Sequence, residues 1–133
     1  MYGPARDQGV TAAPTEAMAA AARGEAYRIP YGGRVLFNHA EDVARALVQC
    51  ARAPFEGAGV FNMPGSDVTM EEVVATIVAA APEARGLITH DETPLALPGS
   101  LATGGLERAV GPVHVTPLAD GVRSTIEHFR RRG

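Results

Sequence analysis

The segment from Ile29 to Leu47 constrains the fold of this chain more than any other part of the sequence. A proline and a Gly-Gly pair form a turn signal, and the run behind them is rich in β-branched and aromatic residues, which predicts a strand from Arg34 to about His39. A helix is predicted to begin at Glu41, where the helix dipole favours acidic side chains. A turn, a strand and a helix in this order can form the wall of a ligand site, so we place the binding chemistry of the chain here.

The predicted helix carries its apolar residues on one face. Val43, Ala46, Leu47 and Cys50 follow the i, i+3, i+4, i+7 spacing of an amphipathic helix. We therefore expect this face to be buried, and we interpret Cys50 as a small buried hydrophobic residue rather than a nucleophile.

Length and composition favour one globular domain over residues 1–133. The chain has 133 residues, of which 46% are hydrophobic and 20% charged. Its net charge of −3 gives no reason to expect a nucleic-acid partner. The single cysteine cannot form an internal disulfide, and no signal peptide or membrane-spanning run is recognisable. We expect a cytoplasmic protein that does not bind membranes.

Strand and helix patterns alternate along the chain, which predicts an α/β fold of short strands and helices. Three further strands are predicted at 26–29, 60–63 and 87–90. The predicted helices are one ending before Gly24, one opened by a Thr69–Glu72 capping box, a weaker one over 101–110, and one that starts after Thr116-Pro117.

The histidines and the C-terminal arginines have structural explanations that require no metal site and no nucleic-acid site. The four histidines lack metal-ligand spacing, so no metal site is predicted. The His90-Asp91 pair is interpreted as a polar strand end, and Arg130 to Arg132 as solvated cations in the last turn of a helix. No catalytic residue is predicted.

Several short motifs occur together in an order that is familiar from one family. The chain resembles the C-terminal half of extended short-chain dehydrogenases/reductases, the NAD-dependent epimerase/dehydratase family. The resemblance covers essentially the whole chain and rests on these motifs: Tyr2-Gly3-Pro4, Ile29-Pro30-x-Gly32-Gly33, His39-Ala-Glu-Asp42-Val43-Ala44, Gly59-Val-Phe-Asn62, Thr69-x-Glu71-Glu72-Val73 and Thr116-Pro117-Leu118-x-x-Gly121-Val122.

The resemblance implies a substrate-binding lobe that lies beside a dinucleotide-binding Rossmann half. The implied parent activity is NAD(P)-dependent epimerase, dehydratase or reductase chemistry on a sugar-like substrate or another substrate with a hydroxyl or carbonyl group. This chain has no glycine-rich loop, because Gly57-Ala-Gly59 is followed by Asn62 where a third glycine is needed. It also has no lysine, so the family's Tyr-x-x-x-Lys pair is absent. We expect the chain alone to bind no cofactor and to be inactive, although NAD(P) is implied for the full-length family.

The segment from Ile29 to Leu47 and the family comparison together predict the substrate-binding residues. The comparison places the loop after Pro4 on the other side of the cleft, and it leaves His39 as either a pocket residue or a structural hydrogen-bonding residue. The arginine that clamps a phosphate in many nucleotide-sugar members aligns with Val35, one residue from Arg34, so a nucleotide-sugar substrate is in question. The predicted substrate-binding residues are Arg6, Asp7, Gln8, Thr11, Tyr31, Arg34, Phe37 and His39.

A second function remains open. The Tyr2-Gly3-Pro4 turn follows Met1 directly, so the sequence looks truncated at its N-terminus. A lobe without its neighbour would expose apolar surface, and such surfaces mark association sites. The alternative is therefore a stand-alone, self-associating small-molecule-binding or interaction module. Self-association into a dimer is expected under either interpretation, and a Rossmann-half partner is the other expected partner.

Overall fold

The computed structural model describes residues 1–98 and 100–132, and it has the α/β character expected from the sequence. Helices occupy Ala13–Arg23 (α1), Ala40–Arg52 (α2), Met70–Ala80 (α3), Gly104–Val110 (α4) and Leu118–Arg132 (α5). Strands occupy Tyr27–Ile29 (β1), Arg34–Phe37 (β2), Ser66–Thr69 (β3) and Ile88–His90 (β4). Single 3-10 turns at Val10–Ala12 and Pro82–Ala84 precede α1 and follow α3.

The strands form two separate two-stranded sheets. β1 pairs with β4 in parallel, with Tyr27 opposite Ile88 and Ile29 opposite His90. β2 pairs with β3 in the antiparallel sense, with Arg34 opposite Thr69. Parallel pairing requires a crossover, and here α3 lies between β1 and β4 in the sequence and packs on β4.

The core lies where α1, α3 and α5 pack on one another and on β1 and β4. Alanines on α1 let the three helices approach closely, and larger side chains fill the remaining space. The fully buried residues of this core include Ala17, Met18, Ile29, Met70, Val73, Ile77, Val122 and Ile126.

Two of the predicted helix ends are confirmed. The Thr69 hydroxyl accepts a hydrogen bond from the Glu72 amide at 3.2 Å, and the Glu72 carboxylate accepts one from the Thr69 amide at 2.7 Å. These bonds satisfy two amides that the first helical turn leaves without partners. At the end of α1, Gly24 adopts a left-handed conformation with φ of 68°, which glycine reaches without steric cost.

The strand predicted at 60–63 is wrong. Residues 53–65 form no strand, and Val60 is fully exposed, while the neighbouring segment Ser66–Thr69 pairs with β2. A strand needs another strand for its backbone hydrogen bonds, and no strand among the described residues pairs with 60–63.

The interpretation of Cys50 as a buried residue is also wrong. The buried residues of α2 are Asp42 and Ala46, whereas Cys50 is exposed and Leu47 is 66% exposed. Asp42 accepts hydrogen bonds from the Thr116 amide at 2.7 Å and from its hydroxyl at 2.9 Å. These bonds turn the Asp42 side of α2 toward the protein and leave the Leu47 and Cys50 side uncovered among the described residues.

The three tyrosines provide a test of this packing. Burial raises the pKa of Tyr2, Tyr27 and Tyr31 to about 12, and nearby carboxylates of Asp42 and Glu16 add to the effect at Tyr2 and Tyr27. We expect the tyrosinate absorbance of the folded chain to show no titration near pH 10, and the urea-unfolded chain to titrate there. Because the phenol pKa is higher in the folded state, the three tyrosines do not change the free energy of unfolding well below pH 10. They lower it as the pH rises from 10 to 12. A folded-state phenol titrating near pH 10 would contradict the burial described here.

Candidate functional site

A cavity of about 260 Å³ lies against β2 and is the main candidate for a ligand site. We call it the β2 cavity. Its walls come from the 3-10 turn before α1, the turn that leads into β2, β2 itself, and the segment that follows β4. The described lining residues are Met1, Thr11, Tyr31, Arg34, Val35, Leu36, Phe37, Leu95, Leu97, Pro98 and Leu101.

The Gly32-Gly33 turn brings the far wall of this cavity into place. The Gly32 amide donates to the Thr93 carbonyl at 2.8 Å, and Gly32 forms a parallel bridge with Pro94. A side chain at Gly32 would overlap the Asp91 carbonyl, and at Gly33, where φ is 76°, it would lie 2.8 Å from the Pro94 Cβ. Only glycine allows this close approach, which positions the segment carrying Leu95 and Leu97 over β2.

Four of the eight predicted substrate-binding residues line the β2 cavity: Thr11, Tyr31, Arg34 and Phe37. Phe37 and Tyr31 are buried, so their rings are fixed parts of the wall. Val35 also lines the cavity, so the strand contributes both of the positions considered for a phosphate-clamping arginine. The assignment of these four residues to substrate binding stays a prediction.

Arg34 is engaged across the sheet. Its Nη1 lies 3.0 Å from the Asp67 Oδ1 and 3.3 Å from the Asp67 carbonyl oxygen. In the antiparallel register Asp67 is opposite Leu36, so it is the diagonal neighbour of Arg34 on the same face of the sheet. Both side chains are partly exposed, so the pair adds only about 0–1 kcal/mol to stability, but it offsets the charge of Arg34.

Tyr31 is the tyrosine of the cavity wall. Burial raises the pKa of the Tyr31 phenol to about 12, against the opposing influence of the Arg6 charge. The phenol therefore keeps its proton at neutral pH and can donate a hydrogen bond. With no lysine in the chain, nothing activates it as the acid or base of a Tyr-x-x-x-Lys pair.

The loop after Pro4 is divided between two cavities. Arg6 Nη2 donates to the Thr11 Oγ1 at 2.7 Å, and its Nη1 donates to the Gln8 carbonyl. Arg6 and Asp7, however, line a different cavity of about 550 Å³ between α1 and α5, together with Glu16, His128 and Arg132. The Gln8 side chain is not among the described residues lining either cavity. The structure thus brings Thr11, but not Arg6, Asp7 or Gln8, to the β2 cavity.

His39 lies outside the β2 cavity. It is buried, and its ring packs edge-to-face on the Tyr2 ring with centroids 5.2 Å apart. Its carbonyl accepts hydrogen bonds from the Asp42 and Val43 amides at the start of α2, whereas neither ring nitrogen has a hydrogen-bond partner among the described residues. The structure places His39 at a helix start in the core.

The aliphatic wall of the cavity is not among the features predicted from the sequence. Leu95 and Leu97 lie in a loop, Leu101 lies at the start of the predicted weak helix, and all three line the site. The signal available was the Thr93-Pro94-Leu95-Ala96-Leu97-Pro98 segment, in which two leucines alternate between prolines. Leucines held in a proline-bounded loop have no helix or strand face to bury them, which points to a surface cleft.

Among the described residues, no glycine-rich loop leads into a helix start that could hold a pyrophosphate. The Gly57-Ala-Gly59 segment lies in an irregular stretch that leads to β3, not to a helix start. At the start of α3, the Thr69 and Glu72 side chains already occupy the place of an anion. The same described residues contain no group of three or more His, Cys, Asp or Glu side chains that could hold a metal ion. No helix within 1–98 and 100–132 has the length and apolar character needed to cross a membrane.

Comparison with known proteins assigns the fold. No protein-family model matches the chain, and no curated protein matches it. Among solved structures, it is similar to MoeE5 in complex with UDP-glucuronic acid and NAD, at 26% identity and a TM-score of 0.74, over 99% of this chain and 45% of that one. It is also similar to TunA, an NAD-dependent NDP-hexosamine 5,6-dehydratase, at 22% identity and a TM-score of 0.74, over 99% of this chain and 44% of that one.

A third similar structure is a candidate epimerase from Burkholderia cenocepacia J2315, at 23% identity and a TM-score of 0.72, over 98% of this chain and 44% of that one. The chain thus spans less than half the length of the solved structures it matches. The resemblance derived from the sequence motifs is confirmed: this chain has the α/β fold of NAD-dependent epimerase/dehydratase-type enzymes and corresponds to somewhat less than half of such an enzyme.

Proposed function

We propose that this chain is the substrate-binding lobe of an NAD(P)-dependent epimerase-, dehydratase- or reductase-type protein, and that the β2 cavity receives the substrate. The observation that carries the proposal is the convergence of Thr11, Tyr31, Arg34 and Phe37 on one cavity. MoeE5, which has the same fold over this length, is solved in complex with UDP-glucuronic acid, which supports a small-molecule ligand. The substrate class is a sugar-like molecule or another compound with a hydroxyl or carbonyl group.

A larger side chain in the cavity wall tests whether the β2 cavity binds a ligand. Leu101 lines the cavity and is 40% exposed, and Val115, outside the cavity, is 37% exposed, so the two positions tolerate a larger side chain equally well. We expect that, among hydroxyl and carbonyl compounds tested by NMR titration, some bind the chain and shift the Thr11 and Phe37 amide signals. Leu101→Trp should weaken their binding at least about tenfold, because the indole occupies the ligand space and about 1.4 kcal/mol is lost.

Val115→Trp is the matched control and should leave the affinity unchanged. Equal loss of binding in both variants, or no loss in Leu101→Trp, would contradict the assignment of this cavity.

We further propose that the chain alone does not catalyse the reaction. The basis is its own residues: no glycine-rich loop leads into a helix, and no lysine accompanies any of the three tyrosines. The purified chain should neither enhance NADH fluorescence on mixing nor consume NADH or NADPH with any compound that binds the cavity. Saturable NADH binding or steady turnover would overturn this part of the proposal.

A second candidate function is a self-associating module, and one observation favours it. The segment from Leu47 to Phe61 exposes several large apolar side chains, and Phe55 and Phe61 contact each other edge-to-face with centroids 5.7 Å apart. The exposed members are Leu47, Val48, Phe55, Val60 and Phe61. Apolar surface of this kind favours burial against either a Rossmann-half partner or a second copy of the chain.

The oligomeric state separates these alternatives. We expect light scattering coupled to gel filtration to show concentration-dependent association that Leu47→Glu weakens, because a charge in an apolar interface must be desolvated. Val10→Glu is the matched control, since Val10 is 62% exposed and Leu47 66%, and Val10 lies outside the segment. A uniform dimer supports the self-associating module, polydisperse aggregates support a lobe that lacks its Rossmann half, and a stable monomer at high concentration contradicts both roles for this segment.

A further inference from the structure

We infer that the β2 cavity takes an uncharged, largely apolar molecule with one carbonyl or hydroxyl oxygen, rather than a nucleotide-diphosphate sugar. This inference rests on the proposed function, because it specifies the chemical class of the ligand for the cavity assigned there. The similar structure MoeE5 is solved with UDP-glucose and with UDP-glucuronic acid, so the inference separates this chain from that ligand class.

The first argument is the apolar character of the walls. Aliphatic side chains line the cavity, from β2 and from the segment after β4, and Phe37 also lines it. Leu97 is 64% exposed and Leu101 40% exposed, so the mouth of the cavity presents leucine side chains to water. An apolar ligand would cover them and gain about 25 cal/mol for each Å² of apolar surface removed from water, whereas a hydrated pyrophosphate gains nothing from that contact.

The second argument is charge. Arg34 is the one cationic side chain among the described lining residues, and its guanidinium is paired with Asp67 at 3.0 Å. The nearby Arg6 guanidinium already donates to the Thr11 hydroxyl and to the Gln8 carbonyl. A pyrophosphate requires a bidentate cation or a helix start with unused amides, and no helix starts at this cavity within the described chain.

The third argument is the presence of two hydroxyl groups suited to one neutral oxygen. The Tyr31 phenol keeps its proton at neutral pH, because burial raises its pKa to about 12, and Tyr31 lines the cavity. The Thr11 hydroxyl accepts a hydrogen bond from Arg6, so its own proton remains available to an acceptor. A carbonyl or hydroxyl oxygen of a ligand can accept from either group without bringing a charge into the apolar cavity.

The fourth argument is size. The cavity volume of about 260 Å³ lies just below the range of roughly 300–1,000 Å³ that drug-sized ligands occupy. A single ring with a short substituent fits the part of the cavity that this chain lines.

The experiment compares three probes on the 133-residue chain by amide NMR: acetophenone, ethylbenzene and UDP-glucose. Acetophenone should shift the Thr11, Tyr31 and Phe37 signals saturably, and UDP-glucose at equal concentration should not. Ethylbenzene has a similar shape without the oxygen and should bind more weakly. Tyr31→Phe should weaken acetophenone binding about fivefold, in line with one lost hydrogen bond, and should not change ethylbenzene binding.

Tyr27→Phe is the matched control. The Tyr27 hydroxyl donates to Glu16 and lies outside the cavity, so acetophenone binding should be unaffected. If the Tyr31→Phe variant loses acetophenone and ethylbenzene binding equally, the hydroxyl is not the anchor and the inference is overturned.

The remaining outcomes separate this inference from the proposed function. UDP-glucose binding that shifts the same cavity signals, and that Arg34→Gln abolishes, would overturn the inference while supporting the cavity as a substrate site. If none of the three probes shifts the cavity signals, both the inference and the assignment of the cavity fail.

Discussion

The packing of the Tyr2 ring is the interaction on which the arrangement of this chain depends. The ring stacks on Phe37 with centroids 4.3 Å apart and planes within 7°, an arrangement that contributes about 0.5–1.5 kcal/mol beyond the area it buries. The Tyr2 amide donates to the Asn38 carbonyl, and its carbonyl accepts from the Ala40 amide, both at 2.8 Å. On its other side, a side chain at Gly121 would overlap the Tyr2 hydroxyl. One residue thus joins the end of β2, the start of α2 and the first turn of α5.

This interaction connects the core to the candidate site. Phe37 stacks on Tyr2 and also lines the β2 cavity, so the cavity wall is as fixed as the core behind it. The opposite wall is held by different means, because the Gly32-Gly33 turn accepts the close approach of Pro94. A site with one wall set by aromatic packing and the other by backbone proximity is largely preformed, and preformed sites avoid the entropic cost of ordering loops on binding.

The features that could be predicted from the sequence are those set by neighbouring residues. The capping box at Thr69 and the left-handed Gly24 depend on hydrogen bonds within a few positions, and both occur as expected. The strand at 60–63 and the burial of Cys50 depended on partners distant in sequence, and both predictions were wrong. Hydrophobic spacing shows which face of α2 can be buried, whereas Asp42 bonding to Thr116, across 74 positions, decides which face is buried.

The difference between contacts among neighbouring residues and contacts between distant ones also explains which residues of the candidate site could be predicted. Tyr31, Arg34 and Phe37 lie within one turn-strand unit, so their proximity could be anticipated, and the structure brings them to one cavity. Arg6 and Asp7 were assigned by position in a loop; they line the cavity between α1 and α5 instead, and Arg6 bonds within its own loop to Gln8 and Thr11. The leucines after Pro94 reach the cavity only because two glycines more than sixty positions earlier permit it. The apolar character of the site therefore arises from the fold, since neither the turn nor the leucine segment alone specifies a pocket.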